Sequence, residues 1–185
     1  PEEHGGSGGD PSDAMLVMKG AGKFSAPIPI AENFLGRMLC SEFGLSAPKG
    51  ITTFSDGSFS ISPDGMLSGS SSETAFGRWS DSVVLIARHG DESYLCSCPC
   101  EAFEINEKNN IAGEPRDEIS IKKKLLDDQF ILAEGVSRRA RLLGAASRVA
   151  QMSGALESIL EMSVSYSIER TQFGKPISKF QAIQQ

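Results

Sequence analysis

Hydrophobic periodicity changes twice along this 185-residue chain, and that double change limits the folds open to it. Before Gly50 the apolar residues recur every three or four positions. Ile30, Phe34 and Met38 form one row, Ala31, Leu35 and Leu39 the next, and Gly44 follows. That spacing predicts a helix with one apolar face, closed by a residue that tolerates the left-handed conformation. From Gly50 the period is two. Strands are expected at 51–54, 58–61, 83–87, 93–97 and 118–121, with turn chemistry at Pro63-Asp64-Gly65, Gly90-Asp91 and Asn109-Asn110 between them. Val83 to Ala87 are apolar without alternation, the pattern of a strand buried on both faces. After Lys122-Lys123-Lys124 helical spacing returns, and a helix is expected over 128–172. Short strands in succession without helices between them indicate a small antiparallel barrel or sandwich.

The predicted fold class is therefore α+β: a helical part, a central antiparallel β-barrel or sandwich, then long helices of an incomplete bundle. The expected boundaries are 1–49, 50–124 and 125–185. Within the first part, Ser12 or Asp13 is expected to cap a short helix through Met15, Leu16 and Met18, ended by Gly20 and Gly22. Within the last, Gly144, Ala145, Ala146, Ala150, Ser153 and Gly154 are small enough for close helix approach, which places that helix inside a bundle.

Charge and composition exclude more than they assign. A net charge of −6 argues against a nucleic-acid partner, and no apolar run is long enough to span a membrane. The glycine run at 5–9 lacks the lysine of a phosphate-binding P-loop. Cys96, Cys98 and Cys100 alternate on one expected strand face. Neither Cys40 nor the two histidines supply a fourth metal ligand at suitable spacing, so no metal site is predicted. Cysteines used this way suit a reducing compartment, cytoplasmic or, in a eukaryote, the mitochondrial matrix. No secretory leader or transit peptide is visible. The chain starts on Pro1 and stops at Gln185 in a helix barely begun, so it reads as a piece of a longer protein.

The stretch Gly154–Gln185 is the most specific. Leu156, Ile159, Leu160, Val164 and Ile168 predict an amphipathic helix, which Gly174 and Pro176 are expected to close. Ser178 and Gln181 have the spacing of a capping box for the next helix. Tyr166, Arg170, Phe173, Gly174, Pro176, Ile177, Phe180 and Gln181 together resemble the corner Tyr-x-x-x-Arg-x-x-Phe-Gly-x-Pro-Ile…Phe-Gln of the acyl-CoA dehydrogenase family. Weaker likeness extends over the chain. PEEHGGSGG is similar to that family's Pro-Glu-Glu-x-Gly-Gly loop, IAENFLGRMLCSEFGL to the helix after it, and NIAGEPRDEISI to the end of its β domain.

The resemblance implies an FAD-dependent α,β-dehydrogenation of an acyl-CoA thioester, in a homo- or hetero-oligomer of such subunits reoxidised by an electron-transferring flavoprotein. It assigns Arg170, with Gln172, Phe173, Phe180 and Gln181 beside it, to the diphosphate and adenine side of an FAD held mainly by a partner subunit. Other family features are unmatched. FSDGSFS stands where Thr-Glu-Pro…Gly-Ser-Asp is usual, and Glu73, Thr74 and Ala75 where Trp-Ile-Thr would face the flavin ring. Most members carry the catalytic glutamate beyond the point where this chain stops. The position used by a few others is Gly144, and no acidic residue lies between Glu134 and Glu157. No catalytic residue is therefore assigned. The alternative is a non-catalytic subunit that completes the flavin site of a homologous partner.

Overall fold

A computed structural model describes residues 8–184. The start of the Pro-Glu-Glu-x-Gly-Gly-like segment, residues 1–7, and Gln185 lie outside the described residues.

Helix α1 (Pro11–Lys23) is capped by Asp10, whose carboxylate accepts the N–H groups of Ser12 at 2.7 Å and Asp13 at 3.1 Å. Asp13 closes the capping box by accepting the Asp10 N–H at 3.0 Å. The cap thus precedes Ser12 and Asp13, and the helix runs through Gly20 and Gly22 instead of ending there. The reason lies at the other end of the chain. A Cβ on Gly22 would stand 1.9 Å from the Gln151 carbonyl oxygen, and one on Gly154 would stand 1.9 Å from that of Lys19. Both Gln151 and Gly154 belong to α3 (Val136–Glu169), so two helix backbones touch where only glycine fits. The close approach expected of the small residues is real at Gly154. Gly144 has room to spare, its nearest side-chain atom being Leu35 Cδ2 at 3.8 Å.

Helix α2 (Ile30–Phe43) ends at Gly44 in the left-handed conformation and buries the Ala31–Leu35–Leu39 row. It is tied to the sheet by Asn33, whose side-chain oxygen accepts the Thr52 N–H at 3.0 Å. A Cβ on Gly36 would come within 2.9 Å of Thr52 Cγ2, so this helix also lies close on its strand.

Seven strands follow: β1 (Thr52–Ile61), β2 (Met66–Ala75), β3 (Ser82–His89), β4 (Glu92–Pro99), β5 (Glu104–Asn106), β6 (Arg116–Leu125) and β7 (Phe130–Leu132). Their order is β5-β6-β2-β1-β3-β4-β7. The fold class is α+β as expected, but the β part differs from an antiparallel barrel or sandwich. It is one open, mixed sheet, because β1 and β3 run parallel and the edge strands β5 and β7 do not pair with each other. After the β1–β2 hairpin the chain crosses through a 3-10 turn at Gly77–Trp79 and lays β3 on the far edge of β1, in the same direction. The runs expected at 51–54 and 58–61 are a single strand with a register shift between Ser55 and Phe59.

Strand β3 is buried on both faces, as its sequence requires. Val83, Leu85 and Ala87 join Phe59, Leu67 and Ile119 in one core, while Val84 and Ile86 meet Leu39, Val136 and Ala140 of the helices in the other. Helix α3 begins only after β7, at the left-handed Gly135 (φ 75°), so the expected start at 128 falls short of a strand that pairs with β4.

The α1–α3 crossing is reinforced by Glu157, which pairs with Lys19 and Lys23 at 2.8 Å each, Lys23 also reaching Glu161 at 2.7 Å. Hydrogen bonds from Lys19 and then Lys23 hold the Glu157 carboxyl at about 2, below its ordinary 4.5. A folded-state pKa lowered in this way adds stability that is complete above about pH 4.5 and lost as pH falls towards 2. Glu157→Gln is expected to lower the urea midpoint at pH 7 and flatten its decline between those pH values. A midpoint-versus-pH series measures both effects. In the same assay Gly154→Val should cost roughly 1–3 kcal/mol or more by forcing the backbones apart. Gly144→Ala should instead be neutral or stabilising by up to about 1 kcal/mol, since it removes a helical glycine from open space.

Candidate functional site

Beyond Gly154 the apolar face of α3 leaves the core: Leu156, Ile159, Leu160, Val164 and Ile168 are 48–65% exposed. This end of the helix carries the predicted corner. The helix does not run to Gly174. Its last residue is Glu169, and Arg170 caps it with extended backbone, its N–H donating to the Tyr166 carbonyl at 2.8 Å. A two-residue hairpin follows, β8 (Thr171–Gln172) against β9 (Lys175–Pro176). Phe173 and Gly174 form its turn at φ 49° and 78°, the pair of positive values that a tight hairpin demands. Gly174 therefore closes a hairpin and not a helix. The Ile177 N–H donates to the Arg170 carbonyl at 2.8 Å and locks the base of the hairpin to the helix end.

The next helix also begins differently from expectation. A 3-10 turn at Ile177–Lys179 leads into a four-residue α4 (Gln181–Gln184), with no capping bond between Ser178 and Gln181. Instead Gln184 Nε2 donates to the Ser178 carbonyl at 3.0 Å.

The hairpin brings the five nominated residues into one exposed corner. Phe173, 93% exposed, meets Phe180 edge to face at 6.3 Å, and the Lys175 ammonium lies 4.4 Å from the centre of the Phe180 ring. Arg170, Gln172 and Gln181 are exposed. Among the described residues the Arg170 side chain has no hydrogen-bond or ion-pair partner, not even its neighbour Glu169. With Lys175 and Lys179 alongside, the corner offers three cations and two aromatic rings, a chemistry suited to an anion joined to a flat ring.

A second place is a cleft of about 230 Å³ where α2, the β1–β2 pair and α3 meet. Glu73 and Ala75, from the stretch opposite an expected flavin ring, share it with Gly144 of α3 and Leu35 of α2. Thr74 is turned away from it, wholly buried and bonded to the Ser55 hydroxyl at 3.0 Å. Glu32 of α2, only 6% exposed, also lines the cleft and pairs with Arg148 at 2.5 Å. Sequence reasoning missed this pair. The signal was a glutamate beside the apolar row Ala31–Leu35, a position a solvated charge would avoid.

Other charged groups are engaged elsewhere. Arg139 holds Glu42 through two hydrogen bonds, and Lys122 of the basic triplet pairs with Glu104 at 2.9 Å on the surface. All four cysteines are free and buried. Burial pushes Cys40 and Cys98 up to about 11 and Cys96 to about 12. No group able to hold a metal ion occurs among the described residues.

No family model matches the chain. It is similar to acyl-CoA dehydrogenase IpdE2 of Mycolicibacterium smegmatis, with 25% identity over an alignment of 198 residues covering 99% of this chain and 53% of that protein. IpdE2 of Mycobacterium tuberculosis is 24% identical, over 99% of this chain and 52% of its own. The chain thus spans about half the length of the curated relatives it matches. Among solved structures, the ChsE4-ChsE5 complex from Mycobacterium tuberculosis superposes with a TM-score of 0.88 at 20% identity, over all of this chain and 57% of the other. Butyryl-CoA dehydrogenase from Megasphaera elsdenii gives 0.81 at 20% identity, over all of this chain and 60% of its own. These structures share its fold.

The corner depends on its turn, since a side chain at Gly174 would strain a left-handed position. Gly174→Val should cut the hydrogen-exchange protection of the Ile177 amide at least about tenfold, while amides of β3 keep theirs. Site-resolved exchange on the two proteins makes the comparison.

Proposed function

We propose, from the premise that this chain is a divergent member of the acyl-CoA dehydrogenase family, that it acts in an FAD-dependent oxidoreductase that α,β-dehydrogenates an acyl-CoA thioester. In this reading residues 1–49 end an N-terminal helical domain, 50–124 form the middle β domain and 125–185 begin the C-terminal helical domain. The single observation that carries the proposal is the Arg170 corner: at the end of α3 an exposed guanidinium without a hydrogen-bond or ion-pair partner among the described residues, in a corner that also holds the Phe173–Phe180 pair. Its planar fork donates two parallel hydrogen bonds to phosphate oxygens and never deprotonates. Gln172 and Gln181 supply neutral donors and acceptors beside it. When bound, FAD supplies the acceptor for the hydride from the acyl β-carbon.

The residues present fit the diphosphate and adenine side of FAD. They do not fit the ring in the usual way, because the resemblance sets Glu73 at the position where an aromatic residue is usual. No ring contact and no catalytic base are assigned to this chain. That misfit favours a second reading, in which the chain is a non-catalytic subunit lending its corner to the flavin of a homologous partner. The similarity to a complex of two different proteins, ChsE4 and ChsE5, supports a hetero-oligomeric arrangement. Reoxidation by an electron-transferring flavoprotein belongs to either reading.

Arg170→Ala, in full-length protein assembled with its natural partner, is expected to weaken FAD about ten- to hundredfold. That is the loss of a charge-assisted contact worth about 1.5–3 kcal/mol. Arg170→Lys keeps the charge without the fork and should restore only part of the affinity. Flavin titration measures all three proteins, and an unchanged affinity in Arg170→Ala sinks the proposal. Flavin retained by this subunit purified alone would reject the second reading.

A further inference from the structure

We propose that Lys175 makes the Arg170 corner selective for a flat ring joined to an anion, by exchanging one contact for another. With no ligand its ammonium covers a face of the Phe180 ring; a bound diphosphate draws it off and bares that face. The proposal rests on the flavin-corner reading above and adds to it a residue outside the five nominated there. The Lys175 Nζ lies 4.4 Å from the centre of the Phe180 ring. Among the described residues the ammonium has no hydrogen-bond or ion-pair partner, so the ring is what holds it.

The hairpin register sets Lys175 on the same face as Arg170. Gln172 and Lys175 are direct partners across β8 and β9, and opposed residues share a face. Arg170 stands two residues before Gln172 with extended backbone, φ −69° and ψ 115°, so strand alternation gives it that face too. Thr171 and Pro176, the other pair, belong to the opposite one. The positive φ of Phe173 and Gly174 fixes this register, and the Ile177–Arg170 bond closes its base.

Magnitudes decide which contact the lysine keeps. A cation–π contact at an exposed site is weak, and a charge-assisted hydrogen bond to phosphate is stronger by roughly tenfold in affinity. Lysine is a compact charge on a flexible four-carbon stem, so it can leave the ring for an anion held by Arg170. Phe173 meets Phe180 at an interplanar angle of 82°, a contact that keeps the ring in place when the ammonium goes. Anion and ring binding are thereby coupled. A ligand with both parts makes the phosphate contact and finds the ring face open. An uncharged flat ring alone must displace the ammonium and gains no phosphate contact in return.

The test uses adenosine and ADP, a flat ring without and with a diphosphate, on the FAD-free full-length protein in its natural assembly, by isothermal titration. Lys175→Met keeps the length of the side chain and removes its charge. It is expected to weaken ADP about tenfold and to strengthen adenosine about two- to fivefold. A residue that merely kept the corner in shape would move both ligands the same way. Lys175→Arg can make either contact and should hold ADP within about threefold of the wild type. Adenosine bound no better by Lys175→Met than by the wild type, or ADP bound equally well by the two, overturns the inference. So does an ADP loss that Lys175→Arg leaves unrepaired. Arg170→Ala on the same probes reads the corner itself. ADP weakened by Arg170→Ala and not by Lys175→Met sinks the role of the lysine and spares the corner. ADP indifferent to both variants removes the corner from nucleotide binding altogether.

Discussion

Everything in this chain hangs on the contact of two helix backbones at Gly22 and Gly154. The two glycines are far apart in sequence, and each removes the side chain that would collide with the other helix's carbonyls. Beside that crossing, α2 and the first half of α3 lay their apolar residues on the Val84–Ile86 face of β3. The lysines of α1 then find Glu157 one turn beyond the crossing. A helix anchored so firmly at its middle can carry its second half past the protein's own core, and α3 does so. The Arg170 corner is held out at the end of this helical arm.

Distance along that arm separates the two candidate places. Arg148 at the cleft and Arg170 at the corner are both on or next to α3, and a helix rising 1.5 Å per residue puts about 33 Å between them. No side chain bridges such a gap. The corner and the cleft are therefore separate places on one helix.

Periodicity made much of this architecture legible. The α2 rows, the doubly buried β3 and the change of regime at Gly50 are all present as read. What remained hidden was hidden for particular reasons. Strand β2 carries Ser68, Ser70, Ser71 and Ser72 and has no apolar alternation, yet it is central to the sheet. Its end is held by hydroxyls: Thr53 donates to the Ala75 carbonyl at 2.5 Å, and Ser55 meets Thr74. Polar residues that satisfy one another inside a sheet leave no hydrophobic signature. Glycines misled in both directions. Gly20 and Gly22 looked like a stop and belong to a helix, whereas Gly174 looked like a helix end and belongs to a hairpin. Glu32 was passed over because its partner Arg148 lies on a helix more than a hundred residues away.

The place of β2 in the sheet has a consequence for synthesis. One of its edges pairs at once with β1, but the other waits for β6, whose Leu125 meets Met66 about 60 residues later. At ribosomal rates of about 5–20 residues per second, that edge stands open for roughly 3–12 seconds on the nascent chain. An open strand edge rich in valine or isoleucine would template association with other emerging chains. A strand reading Ser-Gly-Ser-Ser-Ser-Glu-Thr offers little for such pairing to bury. The composition that made β2 hard to recognise is thus the one that lets it wait safely for its partner.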